Sequence, residues 1–267
     1  MTSDARASER PMHLAMITAC SVRPRPGSVP RRWTLLAALL LCLGSTRSSR
    51  VVCAEAVPLP RSATERADGW VAMTNGRDLS GWRNPFSWGE AKVVGGEFHL
   101  LGDRKFFLVT DRSYGDFIFE GEVFLPPGDS NSGIMFRAHV APNRVWGYQA
   151  EVDGDEKRKW AGGLYDEDRR GWFISPIAGN PESIAAFRAR AGEAFKRHDW
   201  NRYRITCIGR RLRIEVNGVV TTDVEDAMDS SGVIGLQHHG EKGQVYRFRN
   251  LRIHELGKPH TLPAPSK

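Results

Sequence analysis

Three stretches of this sequence alternate polar with apolar residues so that ionisable groups would stand side by side. In DFIFEGEVFL, Phe117, Phe119, Gly121, Val123 and Leu125 share one side of an extended strand, leaving Ile118, Glu120, Glu122 and Phe124 on the other. In GIMFRAH, Met135, Arg137 and His139 oppose Ile134, Phe136 and Ala138; in YQAEVD, Gln149, Glu151 and Asp153 oppose Tyr148, Ala150 and Val152. Carboxylates, an amide, a guanidinium and an imidazole gathered on one face can hydrogen-bond sugar hydroxyls and move protons. A polar strand face is as often simply a solvated one. Here Ile118, Phe124 and Met135 are mixed in with the charges, and seven tryptophans lie beyond residue 56. Aromatic platforms stack on the apolar face of a pyranose, so the mixture fits a binding surface. If the three strands are neighbours in one sheet, that surface is continuous.

The elements that must carry these residues are short and rich in Val, Ile, Phe and Tyr, and Gly, Asp, Asn and Pro separate them. The spacing predicts strands at 91–94, 97–101, 106–109, 116–125, 133–140, 146–153, 202–208, 211–216, 219–222, 232–238 and 244–255, the pattern of an all-β sandwich. Val94-Gly95-Gly96-Glu97 and Val216-Asn217-Gly218-Val219 read as tight hairpins, where Gly and Asn accept positive φ. The only helical pattern, 181–192, lies inside a long insertion, 154–199. That insertion also holds WAGGLYDEDRRGWF (160–173), whose aromatics and charges suit a loop folded over a site.

The chain has 267 residues and a formal net charge of +7, unevenly placed. Residues 1–56 hold eight Arg and no Lys against Asp4, Glu9 and Glu55, and the remainder has 30 basic against 28 acidic residues. A near-neutral body gives no electrostatic reason to expect a nucleic-acid partner. The apolar run 33–43, WTLLAALLLCL, follows Arg31-Arg32 and precedes Ala54-Glu55-Ala56. It is too short to span a bilayer, which takes roughly 20 residues, and fits a signal-peptide core. Export to the periplasm or the exterior is expected, by the general or the twin-arginine route, with no membrane partner after cleavage. The resulting division is an extension and signal peptide at 1–56, a sandwich domain at 66–256 and a flexible tail at 257–267. Processing would leave Cys207 as the one cysteine, in the alternating stretch YRITCIG, where it reads as a small buried apolar residue.

Generic chemistry motifs are absent: there is no phosphate loop, dinucleotide glycine fingerprint, HExxH or CxxC. His238 and His239 are adjacent, so a strand would send them to opposite sides and at most one could face a given site. Trp82 and Trp200 suit packing, whereas Trp146, Trp160 and Trp172, beside the polar strands and in the insertion, suit sugar stacking.

A set of motifs in fixed order goes further. NGRDLSGW (75–82), VVGGEF (93–98), YGDFIFEGEV (114–123), NSGIMFR (131–137), GYQAEVD (147–153), GGLYDE (162–167), GVIGLQHHG (232–240) and FRNLRI (248–253) are similar to the bacterial 3-keto-disaccharide hydrolase domain across 66–256. The resemblance implies a concanavalin-like jelly-roll sandwich and hydrolysis of glycosides already oxidised at C3. A C3 ketone acidifies the C2 proton, so a base can form an enolate, the C1 substituent can leave by β-elimination, and water can add back. Such a site needs a base, an oxyanion partner and a leaving-group acid, and not the close carboxylate pair of ordinary glycosidases.

On that resemblance the catalytic candidates are Glu122, Arg137, Glu151 and His239: Glu151 or His239 as base, Arg137 as oxyanion partner, and Glu122 holding Arg137. Gln149, His139, Asp153, Trp146, Trp160 and Trp172 are the substrate-binding candidates, with Glu120 in reserve. This chain has Gln149-Ala150-Glu151 where many relatives have Glu-x-Gln, which moves the carboxylate by two residues on one strand face. No ligand spacing in the sequence demands a metal or other cofactor, although a divalent cation held by carboxylates and a histidine could polarise the enolate oxygen. The expected partner is an oxidised disaccharide or glycoside. A non-catalytic carbohydrate-binding module and an ordinary glycosidase are the competing readings, because this fold hosts many functions.

Overall fold

The computed structural model describes residues 69–257 apart from Asp129. The leader, its processing site and the tail after Gly257 lie outside the described residues.

Among the described residues, fifteen strands and one helix follow in chain order: β1 (Trp70–Ala72), β2 (Trp82–Arg83), β3 (Glu90–Val94), β4 (Glu97–Leu101), β5 (Phe106–Thr110), β6 (Phe117–Phe124), β7 (Asn131–Ala141), β8 (Arg144–Asp153), β9 (Leu164–Glu167), β10 (Gly171–Ser175), α1 (Pro181–Ala191), β11 (Asn201–Ile208), β12 (Arg211–Val216), β13 (Val219–Glu225), β14 (Val233–His238) and β15 (Val245–Glu255). The eleven strands and the helix expected from alternation are present. β1 and β2 are too short to show a period, and β9 and β10 lie in the segment expected as a loop. WAGGLYDEDRRGWF thus forms most of a two-stranded margin rather than a flap, with Gly171 opposite Asp166 and Ser175 opposite Leu164.

The strands form two antiparallel sheets. One runs β13-β12-β11-β6-β15-β4-β3, with β1 added on β15; the other runs β10-β9-β8-β7-β14-β5-β2. Their facing sides enclose the core, in which Phe98, Leu100, Phe117, Phe119, Phe136, Tyr148, Tyr203, Ile205, Tyr246 and Phe248 are all buried. Each such aromatic contributes on the order of 1.5–3 kcal/mol of burial. Cys207 belongs to this core, and burial pushes its thiol up to about 12, so it behaves as a small hydrophobe. Trp82 packs edge-on against Phe98 as a core residue.

The topology corrects the expectation of one continuous polar surface. β6 lies in the first sheet and β7 and β8 in the second, so the outward faces of β6 and β8 look to opposite sides of the sandwich. A further change occurs within β7. Its register against β8 shifts between Phe136 and His139, and Arg137 sits in the left-handed region at φ 46°. This bulge breaks the simple alternation. Met135, Ala138 and Val140 come to share the outer side with Val145 and Phe86, while Arg137 turns towards the end of the sandwich.

Candidate active site

The outer face of the seven-stranded sheet is divided. Half of it carries a small second core of Phe107, Val109, Met135, Ala138, Val145 and Val233, with Phe86 packed on it. The 84–88 loop is fastened there: Asn143 donates its N–H to the Pro85 carbonyl at 3.0 Å, and Ser87 N–H reaches Asn143 Oδ1 at 2.7 Å. The other half is polar. Gly133 pairs with Glu151, and Met135 pairs with Gln149, which in turn pairs with Tyr165. Across β7 from Glu151, one position on from the Leu236–Ile134 pair, β14 supplies Gln237.

Glu151 is the centre of this half. It is 4% exposed and accepts hydrogen bonds from Asn131 Nδ2 (2.6 Å), Gln149 Nε2 (3.0 Å) and Arg158 Nη2 (2.9 Å). Burial disfavours the carboxylate and raises its pKa to about 7, although Arg158 and Asn131 pull the other way. A carboxyl poised near neutrality can both take and return a proton at physiological pH. Asp153, also buried, accepts from Arg158 Nε and from the backbone N–H of Trp160, both at 2.9 Å. Arg158 therefore bridges Glu151 and Asp153.

Trp160 and Trp172 meet edge-to-face at 4.7 Å, Tyr165 lies 5.1 Å from Trp172, and the Arg158 guanidinium faces both indoles. This aromatic group forms the wall at the β9–β10 margin. From the opposite margin, Lys105 just before β5 reaches an ion pair with Glu167 at the end of β9, passing over β14, β7 and β8.

The structure thus brings together Gln149, Glu151, Asp153, Trp160 and Trp172. His239 follows the last residue of β14, half exposed at the rim, with Nδ1 2.7 Å from Glu241 Oε1; His238 is buried against Phe106 and Tyr246. The remaining candidates are elsewhere. Glu122 lies on the opposite sheet, bonded at 2.7 Å to Arg249, and Glu120 beside it is buried under Arg202, Arg204 and Arg252. Glu122 does not hold Arg137: its carboxylate is taken by Arg249 on the outer side of its own sheet, and Arg137 pairs with Asp116 at the end of the sandwich instead. Arg137 is 0% exposed and spends its donors on the carbonyls of Gly115, Gly209 and Asp229 and on Asp116 Oδ1. That corrects its expected role as oxyanion partner, since no donor is left facing a ligand. His139 bonds Asp229 at 2.6 Å and stacks on Trp146, which the β8 alternation turns away from Glu151. Through Asp229, His139 joins an ion-pair cluster of Asp166, Arg169, Arg170, Asp226 and Asp229 at that end.

Arg158, Asn131, Gln237, Tyr165 and Lys105 join the site without having been singled out from sequence. Gln237 had a legible signal, an amide among Ile234, Gly235 and Leu236 with the parity of an outward position. Arg158 had none, being one of several loop cations. Among the described residues, no three His, Cys, Asp or Glu side chains stand together as a metal site, and Glu151 and Asp153 are held by Arg158.

Two antiparallel sheets packed face to face define the class: jelly-roll sandwiches of the galectin and concanavalin kind. Residues 69–254 match the 3-keto-alpha-glucoside-1,2-lyase-like domain, and the chain belongs to that family. The fold is similar to that of a candidate glycosyl hydrolase from Parabacteroides distasonis, at 15% identity and TM-score 0.51, covering 73% of this chain and 98% of that one. It is also similar to the carbohydrate-binding module CBM66 from Bacillus subtilis (18% identity, 64% and 94% covered, TM-score 0.47). A Bacillus subtilis protein of unknown function with a galectin-like fold matches at 12% identity, 66% and 90% covered, TM-score 0.47. No curated protein sequence matches the chain. Membership of the family makes the function carbohydrate-related.

Proposed function

We propose that this protein cleaves the glycosidic bond of 3-keto-glycosides by elimination, with net hydrolysis once water adds. The observation that carries the reading is Glu151: a buried carboxyl poised near pH 7, on a sheet face walled by tryptophans, in a chain whose family is named for this class of lyase. The Glu151 carboxylate takes the C2 proton; the C–H electron pair becomes the C2=C3 bond, and the charge moves to the ketone oxygen. Arg158, the cation nearest Glu151, is the partner for that oxyanion. As the ketone re-forms, the C1=C2 bond appears, the C1–O bond breaks, and the leaving oxygen takes a proton from Glu151 or from rim His239. Water then adds OH to C1 and H to C2. Gln149 and Asn131 orient the Glu151 carboxyl, and Trp160 and Trp172 offer the stacking surface.

The test is release of monosaccharide from a 3-keto-disaccharide and from its unoxidised parent, with and without a chelator. Release from the keto sugar alone is the expected outcome. Sugar binding without release from either would favour a binding module, for which the aromatic wall alone would suffice. Release from the parent would favour an ordinary glycosidase. We also propose export, resting on the 33–43 run and Ala54-Glu55-Ala56; N-terminal sequencing of the secreted chain would find a start after Ala56, and an intact leader would contradict it.

A further inference from the structure

Two buried acceptors on the floor of the Glu151 face have no donor. Gln149 and Gln237 are 2% and 1% exposed, yet the Oε1 atom of each has no hydrogen-bond partner among the described residues. Most buried polar atoms are satisfied, and each exception calls for a reason. These two belong to one place. β7 alone separates their strands, and it presents Gly133 between them. A Cβ on Gly133 would stand 2.2 Å from Gln149 Cδ and 2.5 Å from its Oε1, so the Gln149 amide lies over the glycine that separates it from β14. Its Nε2 is already committed to Glu151, and only the oxygen is open. The absent side chain at Gly133 is what leaves room between the two amides.

Two carbonyl oxygens need two donors, and the chemistry of the ligand follows from that. An amide oxygen repels a ketone oxygen and accepts from a hydroxyl. A ring carrying a C3 ketone would therefore turn the ketone away from the glutamines, towards Arg158, and offer them hydroxyls. We propose that Gln149 and Gln237 accept hydrogen bonds from two free hydroxyls of the ketone-bearing ring, so that the protein takes this ring only where it is undecorated at those positions. The inference rests on the Glu151 face being the carbohydrate site of the preceding reading. Access requires the Lys105–Glu167 pair that crosses the same face to open: the half-exposed Lys105 side chain can swing into solvent, and a sugar hydroxyl then takes its place as donor to the buried Glu167 carboxylate. The substrate is thus a terminal or disaccharide ring without ether or acyl groups on the hydroxyls that are read.

Calorimetry with the unoxidised disaccharide and its monodeoxy analogues, one for each hydroxyl of the ring, tests this without turnover. Two of the analogues should bind roughly 10- to 100-fold more weakly than the parent, as a buried acceptor left unpaired requires. Gln237→Leu should lose the discrimination at one of those two positions while its melting temperature stays equal or rises, because the variant removes an acceptor that the unliganded protein leaves unpaired. Should Gln237→Leu not fold, Gln237→Asn keeps the amide, withdraws the oxygen by one methylene and should lose the same discrimination. Equal affinity for every analogue, discrimination that persists in both variants, or no binding of the parent sugar would overturn the proposal. Intact hydroxyl discrimination in a protein that leaves the keto sugar uncleaved would remove the elimination reading and leave this inference standing.

Discussion

Glu151 carries two consequences at the residue scale. As the base it must be ionised, so kcat/KM should rise about tenfold per pH unit below about 7 and level off above it. Glu151→Gln should lower kcat on the keto sugar by roughly 10²- to 10⁴-fold while leaving the fold intact. The same raised pKa is linked to stability. Between pH 4.5 and about 7 the folded chain holds this proton and the unfolded chain does not. Its contribution is full below 4.5 and is lost as the pH climbs to about 7, a change on the order of 3 kcal/mol. Urea unfolding at pH 5 and pH 8 should therefore show Glu151→Gln gaining on the wild type by about that amount; parallel curves would mean the carboxyl is ionised at both. Strand parity alone placed Gln149, Glu151 and Asp153 on one face. Arg158 could not be found that way, because its part comes from a loop folding back on Glu151 and Asp153.

At the scale of elements, the bulge in β7 decides which residues reach the site. Met135 and Arg137 read as neighbours on one face until the left-handed turn at Arg137 separates them, and nothing local in GIMFRAH announces that turn. Its physical cause is tertiary: the guanidinium finds three carbonyls and Asp116 at the end of the sandwich. Arg137→Met should therefore cost about 1–3 kcal/mol in chemical denaturation, through the Asp229 carbonyl left buried and unpaired and the loss of the Asp116 pair. Turnover per folded molecule should stay near normal, and its loss would return Arg137 to the chemistry. Gly133 makes the complementary case inside the site. Gly133→Ala would drive a methyl into the Gln149 amide, so KM should rise at least tenfold for a stability cost of about 1–3 kcal/mol; an unchanged KM would take Gln149 out of the site. The β9–β10 margin was hidden for a related reason. Its strands are short and interrupted by charges, so their aromatics read as loop residues although they form the wall.

For the whole molecule, alternation gave the right inward and outward residues for β6 and β8 but could not say which sheet each strand joins. The crossing between β6 and β7 sends Glu120 and Glu122 to the far side, where arginines neutralise them and hydrogen bonds from Arg252 and Arg202 hold Glu120 below the usual carboxylate range against the opposing effect of burial. Glu122→Ala removes one half-exposed ion pair and should change stability by no more than about 1 kcal/mol, with turnover unaltered. A large loss of activity would mean that the two faces communicate.

The central claim is that the Glu151 face eliminates the C1 substituent of a 3-keto sugar. The most direct measurement follows monosaccharide release by the wild type and by Glu151→Gln from a 3-keto-disaccharide and its unoxidised parent at pH 8. Release by the wild type from the keto sugar alone, nearly abolished in Glu151→Gln, is the predicted result. Release that survives the substitution, or that the parent sugar supports equally, would contradict it.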